Sequence, residues 1–342
     1  MKNGQKAYDK FTEDINQAAK DAYEREMDEI NEQLEKEILF AMIGDVNAGK
    51  SSTINHIIGE EVAPIGAKPG ETTKIKKYNY KNKITFVDTP GLDDINSNTS
   101  EATWDFYKEA DIILFFLNAA GTVFSEGEKT IFEQLKKVKN NIIIVLNKID
   151  AADDIPSLVK YVQDHTNYDY QVTPISSKTG ENINMLRKAI VKILEEKKKD
   201  ILFAKNIKEK SSVANKWILT AAASATAIGA SPIPGSDILP LTGIQAGLLV
   251  KLATLYEKPL TKDRAVEIIL SSIAGNIGKN VFRQIIKMIP GAGSVVGASV
   301  AGGMTLALGY AIKYAYENDI ELDAAQLSIL YNIFQQKENT SC

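Results

Sequence analysis

Gly44-Asp45-Val46-Asn47-Ala48-Gly49-Lys50-Ser51 stands directly after the apolar run Ile38 to Ile43. Two glycines with four residues between them, closed by Lys-Ser on a strand-to-helix turn, form the pattern of a phosphate-binding loop. Glycines let the backbone fold close around a phosphate so that several N–H groups point inward, and the helix starting near Lys50 adds the positive end of its dipole. Ala48, Gly49 and Ser52 belong to that cradle. Lys50 supplies a point charge for β- and γ-phosphates, and the Ser51 hydroxyl is placed to ligate magnesium. The same residues also suit an ordinary glycine-rich turn, so the neighbouring strands decide.

The run Ile84 to Val87 ends in Asp88-Thr89-Pro90-Gly91. A carboxylate at the end of a buried neighbouring strand is where a magnesium-binding group belongs, directly or through water. Gly91 lets its backbone N–H approach a γ-phosphate. After Ile142 to Leu146 come Asn147-Lys148-Ile149-Asp150. Asp150 can accept two hydrogen bonds from guanine N1–H and its exocyclic amine, whereas adenine offers a lone pair at N1. The Lys148 stem can lie along the base, and Asn147 can tie this loop to the phosphate loop. Ser176-Ser177-Lys178 is a weaker fourth match, able to present a backbone N–H to guanine O6 and equally readable as a plain loop.

Outward from these motifs, Glu37 to Lys199 alternates short apolar runs with longer periodic segments, the mark of parallel strands joined by crossover helices. The strands are Ile38 to Ile43, Ile84 to Val87, Ile112 to Phe116, Ile142 to Leu146 and Val172 to Ile175, with Lys74 to Tyr80 as an antiparallel edge strand. Residues 1–36 are charged throughout and are no secretory signal. Phe11, Ile15, Ala19, Tyr23, Met27, Ile30 and Leu34 draw one apolar stripe along a helix, which packs on the chain's own body or in a coiled coil. Residues 200–342 carry no strand pattern. Trp217 to Ala230, Ile238 to Tyr256, Lys262 to Ile289, Val295 to Tyr316 and Asp323 to Gln336 read as helices, broken at Ser231 to Ser236, Pro259 and Pro290-Gly291. With no Gly or Pro from Glu181 to Ile228, one long helix is expected to join the two domains. The fold expected is thus α/β over 37–199, mostly parallel with one antiparallel edge strand, plus an all-α domain over 200–342 on which helix 1–36 packs.

The chain has 342 residues, 40 Lys plus Arg against 44 Asp plus Glu, two histidines and one cysteine. That leaves no global basic field and no appended basic patch for nucleic acid, so none is expected as partner. Cys342 alone makes no intrachain disulfide and points to a reducing, cytoplasmic setting. With only His56 and His165, metal chemistry must use oxygen ligands.

Taken together and in this order, the phosphate loop, Asp-x-x-Gly, Asn-Lys-x-Asp and Ser-x-Lys resemble the GTPase domain of the translation-factor-related class. They are most similar to Era and TrmE-like GTPases through Asn47 and the pair Thr72-Thr73. The resemblance implies a P-loop GTPase that binds GTP and GDP with magnesium held by Ser51, Thr73 and Asp88. Thr73, next to the following basic residue, is implied to close over magnesium in the GTP state, with Thr72 as the alternative. It further implies that Asn47 helps hold potassium, the alternative being that Asn47 simply tolerates a left-handed backbone. Lys50, Thr73, Gly91 and Asn47 are the implied catalytic set. G-domain homodimers in the GTP state go with the potassium mechanism. Leu92 stands where many Ras-like GTPases place a water-orienting glutamine, and Glu37 to Thr73 contains no arginine, so intrinsic hydrolysis is expected to be slow. The helices outside 37–199 resemble the layout of dynamin-like and immunity-related GTPases, and Ser231 to Asp237 resembles an uncharacterised domain appended to bacterial GTPases. Met288 to Ile312 is uncharged and long enough to span a bilayer, but rich in Gly, Ala, Ser and Thr; a bundle is favoured, with membrane association, at the inner face, conditional on GTP.

Overall fold

A computed structural model describes residues 2–64, 76–88, 101–208, 210–229, 238–273 and 300–322. Thr72, Thr73, Gly91, Leu92, the Ser231 to Asp237 segment, residues 288–299 of the uncharged stretch Met288 to Ile312 and the helix expected from Asp323 lie outside them. The chain divides into two compact units, Gln33–Glu209 and Met1–Glu32 with Lys210–Cys342.

The first unit is built on a six-stranded sheet: β1 (Ile38–Ile43), β2 (Lys76–Tyr80), β3 (Ile84–Asp88), β4 (Ile112–Asn118), β5 (Ile142–Asn147) and β6 (Gln171–Pro174). The strand order is β2-β3-β1-β4-β5-β6, and only β2 runs antiparallel, against β3. β4 and β5 consist almost wholly of buried residues because helices cover both faces of a parallel sheet, as their unbroken apolar runs require. Between the strands run α2 (Lys50–Ile58), α3 (Glu101–Glu109), α4 (Glu126–Leu135) and α5 (Ile155–His165), and α6 (Ile183–Glu196) follows the last strand. Phe115, Phe124 and Phe132 meet edge to face at 5.4–6.5 Å on one side of the sheet. On the other, Phe40 stacks on Phe86 at 4.7 Å. After β1 the chain goes first to β3 on one side and then to β4 on the other. The phosphate loop therefore stands at the topological switch point, at the carboxyl ends of the strands, where α/β sheets bind ligands.

The helix expected to run unbroken from Glu181 to Ile228 is three helices instead: α6, α7 (Asp200–Asn206) and α8 (Ser211–Gly229). α6 ends because Lys198 turns left-handed at φ 52°, the N–H of Lys199 reaching back to Leu194 O and that of Lys198 to Glu195 O. The Lys199 ammonium is drawn onto both oxygens of buried Asp111, at 2.7 and 2.8 Å. α7 ends at Ile207, which is extended. Phe203 on α7 packs 5.8 Å from Phe40, so α7 belongs to the first unit and the unit ends at Glu209, past the boundary expected at Lys199.

In the second unit α1 (Lys2–Leu34) buries Ile15, Ala19, Ala22 and Ile30 at helical spacing. Ala19 and Ala22 pack with Ala246 of α9 (Ile238–Leu255) and with Val266 and Ile269 of α10 (Lys262–Ile273). The Tyr23 hydroxyl donates to Leu260 O at 2.7 Å. α11 (Val300–Glu317) lies close against α8 because Gly302 has no side chain: a Cβ there would come within 2.9 Å of Ala222 O. Among the described residues no helix is long and apolar enough to cross a membrane.

Candidate functional site

Four loops converge at the carboxyl edge of the sheet. The first follows β1. Gly49 caps α2 at φ 88°, a left-handed conformation that side chains resist, and a Cβ there would lie 2.1 Å from Asn147 Nδ2. Asn47 is also left-handed, at φ 65°, so its residue type is explained by backbone alone, whatever its amide does with a cation. The Lys50 ammonium donates to Gly44 O at 2.8 Å and Asp45 O at 3.0 Å, held inside the loop it closes. Ser51 and Ser52 follow on the first turn of α2, and Ser52 lines a cleft with Ser177 and Lys178.

Asp88 ends β3 and is buried, with Oδ1 3.6 Å from the Lys50 ammonium and in no hydrogen bond. Burial pushes its carboxyl above the ordinary aspartate range, opposed by the charges of Lys50 and then Lys76. An orphaned carboxylate oxygen beside the Ser51 turn fits a hard divalent cation such as magnesium, which takes oxygen ligands and few from the protein. Among the described residues no cluster of three acidic, His or Cys side chains offers a rival metal site.

Asn147, fully buried at the end of β5, joins three of the loops. Its Nδ2 donates to Ala48 O at 2.7 Å and to Ser177 Oγ at 2.9 Å, while its Oδ1 accepts from Ser177 N at 2.9 Å. The weak Ser176-Ser177-Lys178 match is thereby brought to the same site. Ser176 donates its hydroxyl to Asp150 Oδ1 at 2.6 Å, holding that carboxyl below its ordinary range and turning it to one face. Lys178 stands 3.7 Å from the other oxygen but is well exposed, so that ion pair adds little. Lys148 takes a left-handed turn at φ 64°, which sets its side chain apart from the strand it follows. Asn47, Ala48, Gly49, Lys50, Ser51, Ser52, Asp88, Asn147, Lys148, Asp150, Ser176, Ser177 and Lys178 thus lie along one edge; Thr73 and Gly91 fall outside the described residues.

Two residues of β2 were not singled out by sequence. Lys76 pairs in register with Asp88, and burial, then the Asp88 charge, push the Tyr78 phenol up, opposed by the Ser51 side chain. The alternation of Lys76, Tyr78 and Tyr80 on one face of an edge strand was the available signal.

Residues 39–148 match the family model described as 50S ribosome-binding GTPase. This part of the chain is similar to an Era-like P-loop GTPase domain. Over 165 residues the chain is 32% identical to GTPase Era of Clostridioides difficile strain 630, covering 46% of this chain and 55% of that protein. Over 163 residues it is 36% identical to GTPase Era of Alkaliphilus metalliredigens strain QYMF, covering 45% and 55%. The chain therefore spans about half the length of these curated relatives. A crystal structure of Era in complex with MgGDPNP and a segment of 16S ribosomal RNA is similar over 46% of this chain and 57% of that one, at 25% identity and a TM-score of 0.37.

Proposed function

We propose that this protein is a magnesium-dependent GTPase that hydrolyses GTP to GDP and phosphate and whose nucleotide state alters its helical unit. The observation that carries the reading is the joining of the guanine and phosphate loops through one buried side chain, Asn147, with the Asp150 carboxylate accepting the Ser176 hydroxyl. Lys50 binds and orients the phosphates by charge. Asp150 selects guanine, because a site built to accept from N1–H leaves polar groups unpaired against adenine. Ser51, Asp88 and the switch threonine, Thr73 or else Thr72, would hold magnesium, which when bound offsets charge on the β- and γ-phosphate oxygens. Asn47 is the residue offered to potassium. The test is competition binding and phosphate release: GTP and GDP preferred over ATP, turnover slow, faster in potassium than in sodium and at higher protein concentration. Equal affinity for ATP and GTP would end the reading.

Two further readings concern what the switch serves. A dynamin-like membrane-remodelling role, with G-domain pairing in the GTP state, predicts turnover stimulated by liposomes and lipid binding only with a GTP analogue. A binding module with negligible hydrolysis predicts tight GTP binding without phosphate release. The family description names the 50S ribosome, and the Era crystal structure holds RNA. A filter-binding assay with ribosomal RNA at two salt concentrations tests the expectation that no nucleic acid is bound here.

A further inference from the structure

His56 stands in the last turn of α2, and its carbonyl accepts from Arg187 Nη2 at 2.6 Å. Its ring reaches across to the loop that follows β6: Cε1 and Nδ1 lie 3.5 and 3.6 Å from where a Cβ on Gly180 would stand. Apart from the glycine's chain neighbours, no other group among the described residues comes within 4 Å of that point. Gly180 is left-handed at φ 82°, and its N–H donates to Ser176 O at 2.9 Å, which closes the turn Ser176 to Gly180. Inside that turn Ser176 Oγ accepts from Lys178 N at 3.3 Å and Thr179 N at 3.1 Å while it donates to Asp150. The turn is thus one hydrogen-bonded piece, tied through its first two residues to Asp150 and Asn147 and met at its last by the His56 ring.

His56 also lines a cleft of about 510 Å³ together with Ser52, Ser177 and Lys178. That is room for a small organic ligand. Ser52 belongs to the phosphate end of the site and Ser177 and Lys178 to the guanine end, so a nucleotide held at both ends borders this cleft. His56 is the one ring among the residues that line it.

We propose that His56 is a positioning residue for guanine specificity: its ring, carried on the phosphate-loop helix, spaces the turn Ser176 to Gly180 from α2 so that a nucleotide held by Lys50 meets Asp150 and the Ser177 backbone. The proposal rests on the GTPase reading. One helix then carries both the charge that binds phosphate and the ring that sets the guanine turn at the right distance from it. Without the ring, Gly180 faces open space and the turn shifts toward the cleft. Hydrogen bonds weaken steeply outside their range of lengths and angles, and losing one to a carboxylate costs about tenfold or more in affinity. ADP, which does not match Asp150, draws its affinity from the phosphate end and does not call on the turn.

The full chain, unmodified and carrying His56→Ala or His56→Phe, is compared in its affinities for GDP and for ADP by titration calorimetry, with ADP measured by displacement. Expected for His56→Ala is GDP affinity lower by at least about tenfold and ADP affinity within about threefold, so that the ratio of the two falls. His56→Phe keeps a flat ring against Gly180 and should hold the ratio within about threefold of the unmodified protein, and it keeps the comparison open should His56→Ala not fold. An unchanged ratio in His56→Ala overturns the proposal. So does equal loss of GDP and ADP affinity, which marks His56 as a support of α2 alone, and so does a ratio in His56→Phe as low as in His56→Ala, which denies the ring its packing role. An unmodified protein with no preference for GDP over ADP instead overturns the GTPase reading, and the proposal falls with it.

Discussion

Asp88 ends β3 with one oxygen that no hydrogen bond reaches, in a position where burial raises its pKa despite the nearby Lys50 ammonium. With the folded value above the unfolded one, its contribution to stability is fully present below the unfolded value and is lost as pH rises through the folded value. In nucleotide-free, magnesium-free protein, Asp88→Asn should therefore raise the melting temperature at neutral pH, about 1 kcal/mol being worth roughly 2–4 °C in a unit of this size. Stability of the variant should also vary less with pH across the weakly acid range. The same substitution should abolish the magnesium dependence of nucleotide affinity; calorimetry with and without magnesium reads both effects, and a lower melting temperature would contradict the account. Asp150 makes the complementary case. The Ser176 hydroxyl holds its carboxyl below the ordinary aspartate range, and Asp150→Asn should exchange guanine for xanthine nucleotides, whose C2 oxygen needs a donor, in a competition assay. At Gly49, a Cβ has no room beside Asn147 and the φ of 88° resists it, so Gly49→Ala should cost at least about 1 kcal/mol in urea unfolding and weaken nucleotide binding.

α2 is held at both ends. Its N-terminal turn carries Lys50 and Ser51, and its C-terminal carbonyls are taken by buried Arg187 of α6, from Nε to Ile57 O at 2.9 Å and from Nη2 to His56 O at 2.6 Å. The next carbonyl, Ile58 O, accepts from Lys208 N at 2.8 Å. A guanidinium at the negative end of a helix dipole stabilises it and leaves the positive end free to act on phosphate. Arg187→Met keeps most of the volume but leaves two carbonyls short of donors, so stability should fall by about 2–3 kcal/mol in urea unfolding. Affinity for GDP should fall with it. α4 starts on a full capping box, Ser125 accepting from Glu128 N while Ser125 N donates to the Glu128 carboxylate at 2.6 Å. Ser125→Ala should cost about 1 kcal/mol without touching nucleotide affinity, which makes it a control for Arg187→Met.

At the scale of the whole molecule, the chain divides into two compact units, so calorimetry of the intact chain should resolve two transitions. GDP at a hundred times its dissociation constant should stabilise only the unit Gln33–Glu209, by about 2.7 kcal/mol. A single transition shifted as one would show that the units unfold together. The apolar runs Ile38 to Ile43, Ile112 to Phe116 and Ile142 to Leu146 were legible as buried parallel strands because both faces of each strand are covered, leaving no alternation to confuse the reading. Lys50, Asp88, Asn147 and Asp150 were legible for a related reason: each ends a strand or stands in the loop after one, and in a parallel sheet all such positions share one edge. The breaks that end α6 and α7 were not legible. Lys197, Lys198 and Lys199 are good helix formers with no glycine or proline among them, and the contact made where the helix turns away is with Asp111, far off in sequence. Likewise the sequence marks Ser176 only weakly, since its meaning lies in Asp150 being within hydrogen-bond reach. The strands of the sheet, the nucleotide motifs and the helices described beyond residue 209 were thus determined by the sequence itself, through periodicity and chain-adjacent spacing. Which polar groups meet, and where a helix of uniform propensity stops, only tertiary packing decided, because a hydrogen bond between residues far apart in the chain leaves no local pattern.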